Sequence, residues 1–151
     1  MYKIKLSIFI SLFLVVLLSC SNADKTGTGN STVDNSKGVE QFNGNIYVSS
    51  EIIINNQSGY LWVSIKDAKV SLQPDENNMT SPTFNDLSYF SVKGSGTDYS
   101  FSIPDSKQNP DSIVGTLKFS SDGSSVTVNF TENGNDPTGE TLNKHFVCNK
   151  K

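Results

Sequence analysis

Side chains able to do bond-making chemistry are few in this chain, and they do not cluster. His145 is the one histidine, so it is the one group whose ordinary pKa lies near neutrality. It stands beside Lys144 on an alternating, strand-like segment, a setting that reads as a polar surface residue rather than a catalytic base. Two cysteines, Cys20 and Cys148, are separated by almost the whole domain. A single His with two Cys cannot build the usual zinc site. Acids gather in Asp105–Asp111, at Asp122 and in Asn133–Glu140, but none of these runs has the twelve-residue calcium-loop spacing, so they read as turn formers and solubilising charge. No nucleophile elbow or phosphate loop occurs. Non-enzymatic function with no cofactor or metal is therefore expected. The remaining candidates are recognition residues. Tyr60 and Trp62 fall opposite Leu61, Val63 and Ile65 in the alternation, and aromatic rings on an outer strand face can mark a binding surface.

The elements that must position these groups begin with an address. Lys3 and Lys5 precede an almost purely apolar run from Ile8 to Leu18. About 11 residues at ~1.5 Å each make ~16 Å of helix, too short for a ~30 Å hydrocarbon core, so the run reads as a signal-peptide core. Leu17-Leu18-Ser19-Cys20 resembles the lipobox of bacterial lipoproteins. That resemblance implies a signal peptide over 1–19, a diacylglyceryl group on the Cys20 thiol and cleavage that leaves Cys20 as the mature N-terminus. Ser21 agrees with outer-membrane sorting in such proteins, so the expected location is the bacterial envelope, lipid-anchored. Several acyl chains hold a protein on a bilayer far more firmly than one.

Cleavage at Cys20 leaves 10 lysines against 15 acids, a side-chain charge of −5 in place of −3. That sign repels anionic headgroups. All basic residues are lysine, and an acidic chain without arginine is a poor partner for nucleic acid. Residues 21–41 are polar and hold only Val33 and Val39 as sizeable apolar side chains, so a disordered tether is expected over 20–41. With Cys20 lipidated, Cys148 has no disulfide partner and reads as a buried structural thiol.

From Phe42 to the end the pattern has period two: Leu61/Val63/Ile65, Tyr99/Phe101/Ile103, Val126/Val128/Phe130 and Phe146/Cys148 each share a face. Such alternation reads as strands with one buried and one wet face. Segments begin near 46, 60, 68, 88, 98, 113, 124 and 141, with Asp122-Gly123 the strongest hairpin signal. The expected class is all-β: one domain over 42–151, a small antiparallel up-and-down β-barrel of about eight strands, with a two-sheet β-sandwich as the alternative. Phe42-Asn43-Gly44-Asn45-Ile46-Tyr47 resembles the F-x-G-x-x-Y opening of small lipocalin-like lipoproteins. That implies a barrel whose interior either is filled or holds a small apolar ligand. The inward rings Phe90, Tyr99, Phe101, Phe119, Phe130 and Phe146 argue for filling.

Ser95-Gly96-Thr97-Asp98-Tyr99 is similar to the S-G-x-x-Y segment of the membrane-bound lysozyme inhibitors. There it implies a loop that enters the hydrolase cleft, with Ser95 and Tyr99 as the contacts. The Trp-Lys-Gly stretch and the disulfide of that family are absent here. The expected partners are thus the membrane, through lipid on Cys20, and a small apolar ligand or an envelope or host macromolecule, bound by a monomer. Inhibition of a cell-wall hydrolase is the alternative.

Overall fold

The computed structural model describes residues 32–54, 57–103 and 112–151. The signal segment, Cys20 and the Asp105–Asp111 acids lie outside the described residues. Among the described residues there are nine strands: β1 (Ile46–Ser49), β2 (Ile52–Ile54), β3 (Gln57–Lys66), β4 (Lys69–Asp75), β5 (Lys93–Ser95), β6 (Asp98–Ile103), β7 (Ile113–Phe119), β8 (Ser125–Asn133) and β9 (His145–Lys150). They form one antiparallel sheet in the order β2-β3-β1-β9-β8-β7-β6-β5, with β4 on the other side of β3. β1 and β2 run one after the other along β3, so they act as one interrupted strand. Counted that way, the sheet has the eight up-and-down strands that the alternation predicts.

Among the described residues, strand pairing does not close the sheet into a ring. Between β4 and β5 the contact is one isolated bridge, in which Val70 and Phe90 exchange two backbone hydrogen bonds of 2.9 and 2.8 Å. The expected strand near 88 is therefore this single bridge followed by β5, and Phe90 keeps its inward place, packing its ring 5.4 Å from that of Phe101. The last strand begins at His145 rather than near 141, because Asn143 takes a left-handed backbone (φ 57°) that ends any extended run there.

Alternation sets the core. In β6 Tyr99 and Phe101 are buried while their neighbours are exposed, and β8 and β9 repeat the pattern with Val126, Val128, Phe130, Phe146 and Cys148. Gly115 shows why one inward position carries no side chain. It pairs with Phe101 on one flank and Phe130 on the other, and those rings meet edge to face at 6.1 Å. A Cβ there would stand 2.2 Å from the Asn129 carbonyl oxygen and 2.7 Å from the Phe101 ring.

β3 breaks the alternation. Leu61 to Ile65 are all buried, because residues 76–89 fold over the outer face of β3 and β4. Trp62 Nε1 donates to the Asn77 carbonyl at 2.8 Å, Ser64 and Tyr89 hydroxyls meet at 2.8 Å, and Ser71 and Ser88 hydroxyls at 2.7 Å. The domain also starts earlier than Phe42. Val33 packs on the core, Val39 is buried, and a 3-10 turn at Val39–Phe42 carries the chain across one end of the sheet. The expected tether over 20–41 is thus shortened from its C-terminal side, since residues from Val33 onward are part of the packed domain. Among the described residues no helix is long and apolar enough to cross a membrane.

Candidate functional site

In an up-and-down sheet, alternate turns lie at the same end. One end gathers the β3–β4, β5–β6 and β7–β8 turns, and this end is closed. Phe42 lies across it, stacked on Phe119 with ring centres 3.8 Å apart and edge-on to Tyr99 at 6.5 Å. Gln41 donates its side-chain N–H to the Gly96 and Gly38 carbonyls at 3.1 and 3.2 Å, and the Gly96 N–H donates to Lys37 O at 2.8 Å. The Val33 N–H donates to Ser121 O at 2.8 Å, so the chain enters the domain at this end. It also leaves here: the Lys150 N–H reaches Ser124 O and the Lys151 N–H reaches Ile46 O, each at 2.9 Å.

At the other end, where β2, β4, β6 and β8 finish, the described residues leave an opening. A cavity of about 660 Å³ lies here. Its floor is apolar: Leu61, Leu72, Ile103, Ile113, Phe130 and Phe146 face into it. Leu72, Ile103 and Ile113 are half-buried, although they point to the inner side of the sheet. The rim is polar and includes Tyr60, Asp75, Glu76, Asn133, Asp136 and Thr141. Aromatic rings therefore fill the closed half of the interior, and the expectation of a filled interior does not extend to the open half.

The rim is held by local hydrogen bonds. Asp136 accepts from the Thr141 N–H at 2.6 Å, the Thr141 hydroxyl at 2.7 Å and the Thr138 hydroxyl at 2.7 Å. These bonds favour the charged form and hold its carboxyl well below the usual range. Asn133 donates to the Thr141 hydroxyl at 2.9 Å, tying the β8–β9 loop back to its strand. Asp75 accepts from the Asn77 N–H at 2.7 Å.

The structure does not bring the sequence candidates together. Tyr60 is half-buried at the rim of the cavity. Trp62, expected on an exposed face, is 0% exposed, because residues 76–89 cover it and its indole N–H is spent on Asn77. Tyr99 is at the closed end and buried. Its hydroxyl donates to Gly96 O at 2.9 Å, and burial raises its pKa. Ser95 is exposed on β5, in a turn whose Gly96 backs directly on Asn35: a Cβ at Gly96 would meet Asn35 at 2.8 Å. The Ser95–Tyr99 segment is thus anchored to the closing segment rather than standing free of the sheet.

Cys148 is 0% exposed, with Sγ 3.7 Å from the Leu61 and Phe146 carbonyls, and burial pushes its thiol up to about 12. His145 is exposed at the start of β9. Among the described residues no group of three or more His, Cys, Asp or Glu is placed to hold a metal ion.

The cavity residues that sequence reading missed are Leu72, Ile113, Asp75, Glu76 and Asp136. A signal for them was present. Once strands are read as up-and-down, alternate connections share an end, and the residues flanking 55–56, 76, 104–111 and 134–144 can be pooled. Comparison of the chain with protein-family models, with curated proteins and with solved structures finds no match.

Proposed function

We propose that this chain is a lipid-anchored, non-enzymatic binding module of a bacterial cell envelope, which holds a small apolar ligand in the open end of its sheet. The observation that carries the reading is the asymmetry of the two ends. Phe42 and Val39 stop one end with packed side chains, while about 660 Å³ at the other is walled by Leu, Ile and Phe and rimmed by polar groups. Binding sites for small molecules have this composition and fall in this size range. Half-exposed Leu72, Ile103 and Ile113 have water to shed, and their burial under a ligand contributes roughly 25 cal/mol per Å². Catalysis is not part of the reading, because Cys148 is buried as a neutral thiol and His145 stands on the outer surface with Lys144 as its chain neighbour.

The anchor reading rests on Lys3, Lys5, the apolar run and Leu17–Cys20. It fits the domain geometry in one respect. The chain enters at the closed end, through Val33 on Ser121, so a tether from Cys20 leaves the mouth on the side away from the anchor.

Two experiments test the two halves. Growth with a clickable fatty acid should label the protein, and Cys20→Ser should abolish the label; label persisting in the variant would sink the anchor. Titration with the neutral fluorescent probe N-phenyl-1-naphthylamine should give saturable blue-shifted emission. Ile113→Arg, which puts a charge into the apolar floor, should remove it. Emission that is unsaturable, or unchanged by the substitution, contradicts a ligand site in the open end.

A further inference from the structure

We propose that the open end selects amphiphiles with a cationic head, taking an alkyl or ring body on its apolar floor and an ammonium-like group at its rim. This rests on the cavity being a ligand site and adds the class of ligand.

Charge divides unevenly along the sheet. The described carboxylates Glu51, Asp75, Glu76, Glu132 and Asp136 all lie at the open end, in or beside the connections that gather there. The described lysine at that end is Lys144, and it is not among the residues lining the cavity. At the closed end, lysines flank every turn: Lys37, Lys66, Lys69, Lys118, Lys150 and Lys151. The ion pairs Lys37–Asp34, Lys66–Asp86 and Lys118–Asp98 lie there too, at 3.7, 2.7 and 3.5 Å, and offset part of its acid charge. The net negative charge of the chain is therefore concentrated at the mouth.

Three carboxylates, Asp75, Glu76 and Asp136, line the cavity itself, and among the described residues no lysine does. Glu76 makes no hydrogen bond or ion pair among the described residues. Asp136 is fixed in its charged form by three short hydrogen bonds. Its loop holds it rigidly, so a cation meeting it costs little reorganisation. An apolar floor below and carboxylates above match an amphiphile whose polar end is positive. An anionic head would stand in a repulsive field over a low-dielectric wall, where field lines concentrate. At the far end Asp34, Glu40, Asp67, Asp86, Asp98 and Asp122 offset the lysines, so the negative mouth faces a near-neutral end and draws approaching cations.

The test is calorimetric titration of the purified protein with decylammonium, decyl sulfate and decanol, each below its micelle concentration, at about 20 mM ionic strength. Several partly solvated charge contacts are each worth a fraction of a kcal/mol, so decylammonium should bind about tenfold tighter than decyl sulfate, with decanol between. The gap should narrow at about 0.5 M salt, where the Debye length falls to a few Å. Asp75→Asn with Glu76→Gln should weaken decylammonium about fivefold and leave decanol unchanged. Asparagine keeps the acceptor that Asn77 uses, so folding should hold.

Asp67→Asn at the closed end removes the same kind of charge from a residue with φ 51°, a backbone that asparagine tolerates, and should change neither ligand. Equal affinity for all three ligands, or tighter sulfate, overturns the cation preference while leaving the cavity reading intact. A loss from Asp67→Asn equal to that of the double variant assigns the effect to overall charge and overturns it as well. Failure of all three ligands to bind takes down the cavity reading itself.

Discussion

Replacing Phe42 by alanine asks whether the segment before β1 truly closes the sheet. Phe42 is 3% exposed and lies flat on Phe119, with 8° between the ring planes, while Tyr99 meets it edge-on. A Cβ added at Gly123, the turn glycine of the β7–β8 hairpin, would meet the Phe42 ring at 3.4 Å. Truncation removes a buried aromatic side chain and leaves a void that these partners, held in strands, can collapse into only partly. Phe-to-Ala changes of this kind cost about 3–5 kcal/mol, a figure that already includes the ring–ring contacts. A domain of this size has a urea slope of about 1–3 kcal/mol per molar, so the unfolding midpoint should fall by about 2 M. The assay is urea unfolding followed by fluorescence of Trp62, the one tryptophan, which is fully buried on β3 and so reports the sheet rather than the segment. A midpoint within about 0.5 M of the parent would mean that residues 33–45 come off the sheet without weakening it, and the reasoning would fail.

Other consequences can be measured directly. Asp122 accepts from Ser120 Oγ at 2.6 Å and from Ser124 N and Oγ at 3.0 and 2.8 Å, which lowers its carboxyl to about 2. A depressed acid contributes stability above its unfolded pKa and loses it as pH falls through the folded value, so the stability difference between parent and Asp122→Asn should be full above about pH 5 and vanish below about pH 2. A difference that persists unchanged at lower pH refutes the role of the charge. In the Cys20→Ser chain, Cys148 should resist a thiol reagent at pH 8 until denaturant is added, since its thiol is buried with a pKa near 12; prompt labelling of the folded protein would contradict this burial. Gly115→Ala should destabilise by about 1–3 kcal/mol in thermal melts, because its Cβ would strike the Asn129 carbonyl and the Phe101 ring. An unchanged melt would show that the two rings do not close over that glycine.

How much of this was legible depends on what each feature is made of. The inward sets of β6, β8 and β9 could be read directly, because period-two alternation is a local property and those strands have one wet face. β3 could not be read that way. Trp62 and Ser64 are buried by residues 76–89, a contact across sequence that leaves no trace in the alternation of 60–66. The closing segment was missed for a related reason. Val33, Val39 and Gln41 have no period, and their place is set by a short 3-10 turn and by hydrogen bonds to Gly96 and Ser121 far along the chain. Four recognition candidates were drawn from aromatic exposure and a five-residue motif, and only Tyr60 lies at the cavity. The charge division was open to sequence reading. Lysines offset the acids around the 67–68 and 120–124 turns and the C-terminus, whereas Asp75, Glu76, Glu132, Asp136 and Glu140 are joined by Lys144 alone over 75–76 and 132–144, and pooling alternate turns would have exposed that imbalance.

The measurement that bears most directly on the account is an amide-resolved NMR titration of the protein with decylammonium. Saturable shifts should gather at Tyr60, Leu72, Ile103, Ile113, Phe130, Asp136 and Phe146, with Phe42, Gly96 and Ser121 unmoved. Shifts centred on the closed end, or spread weakly over the whole surface without saturating, would contradict a ligand site in the open end of the sheet.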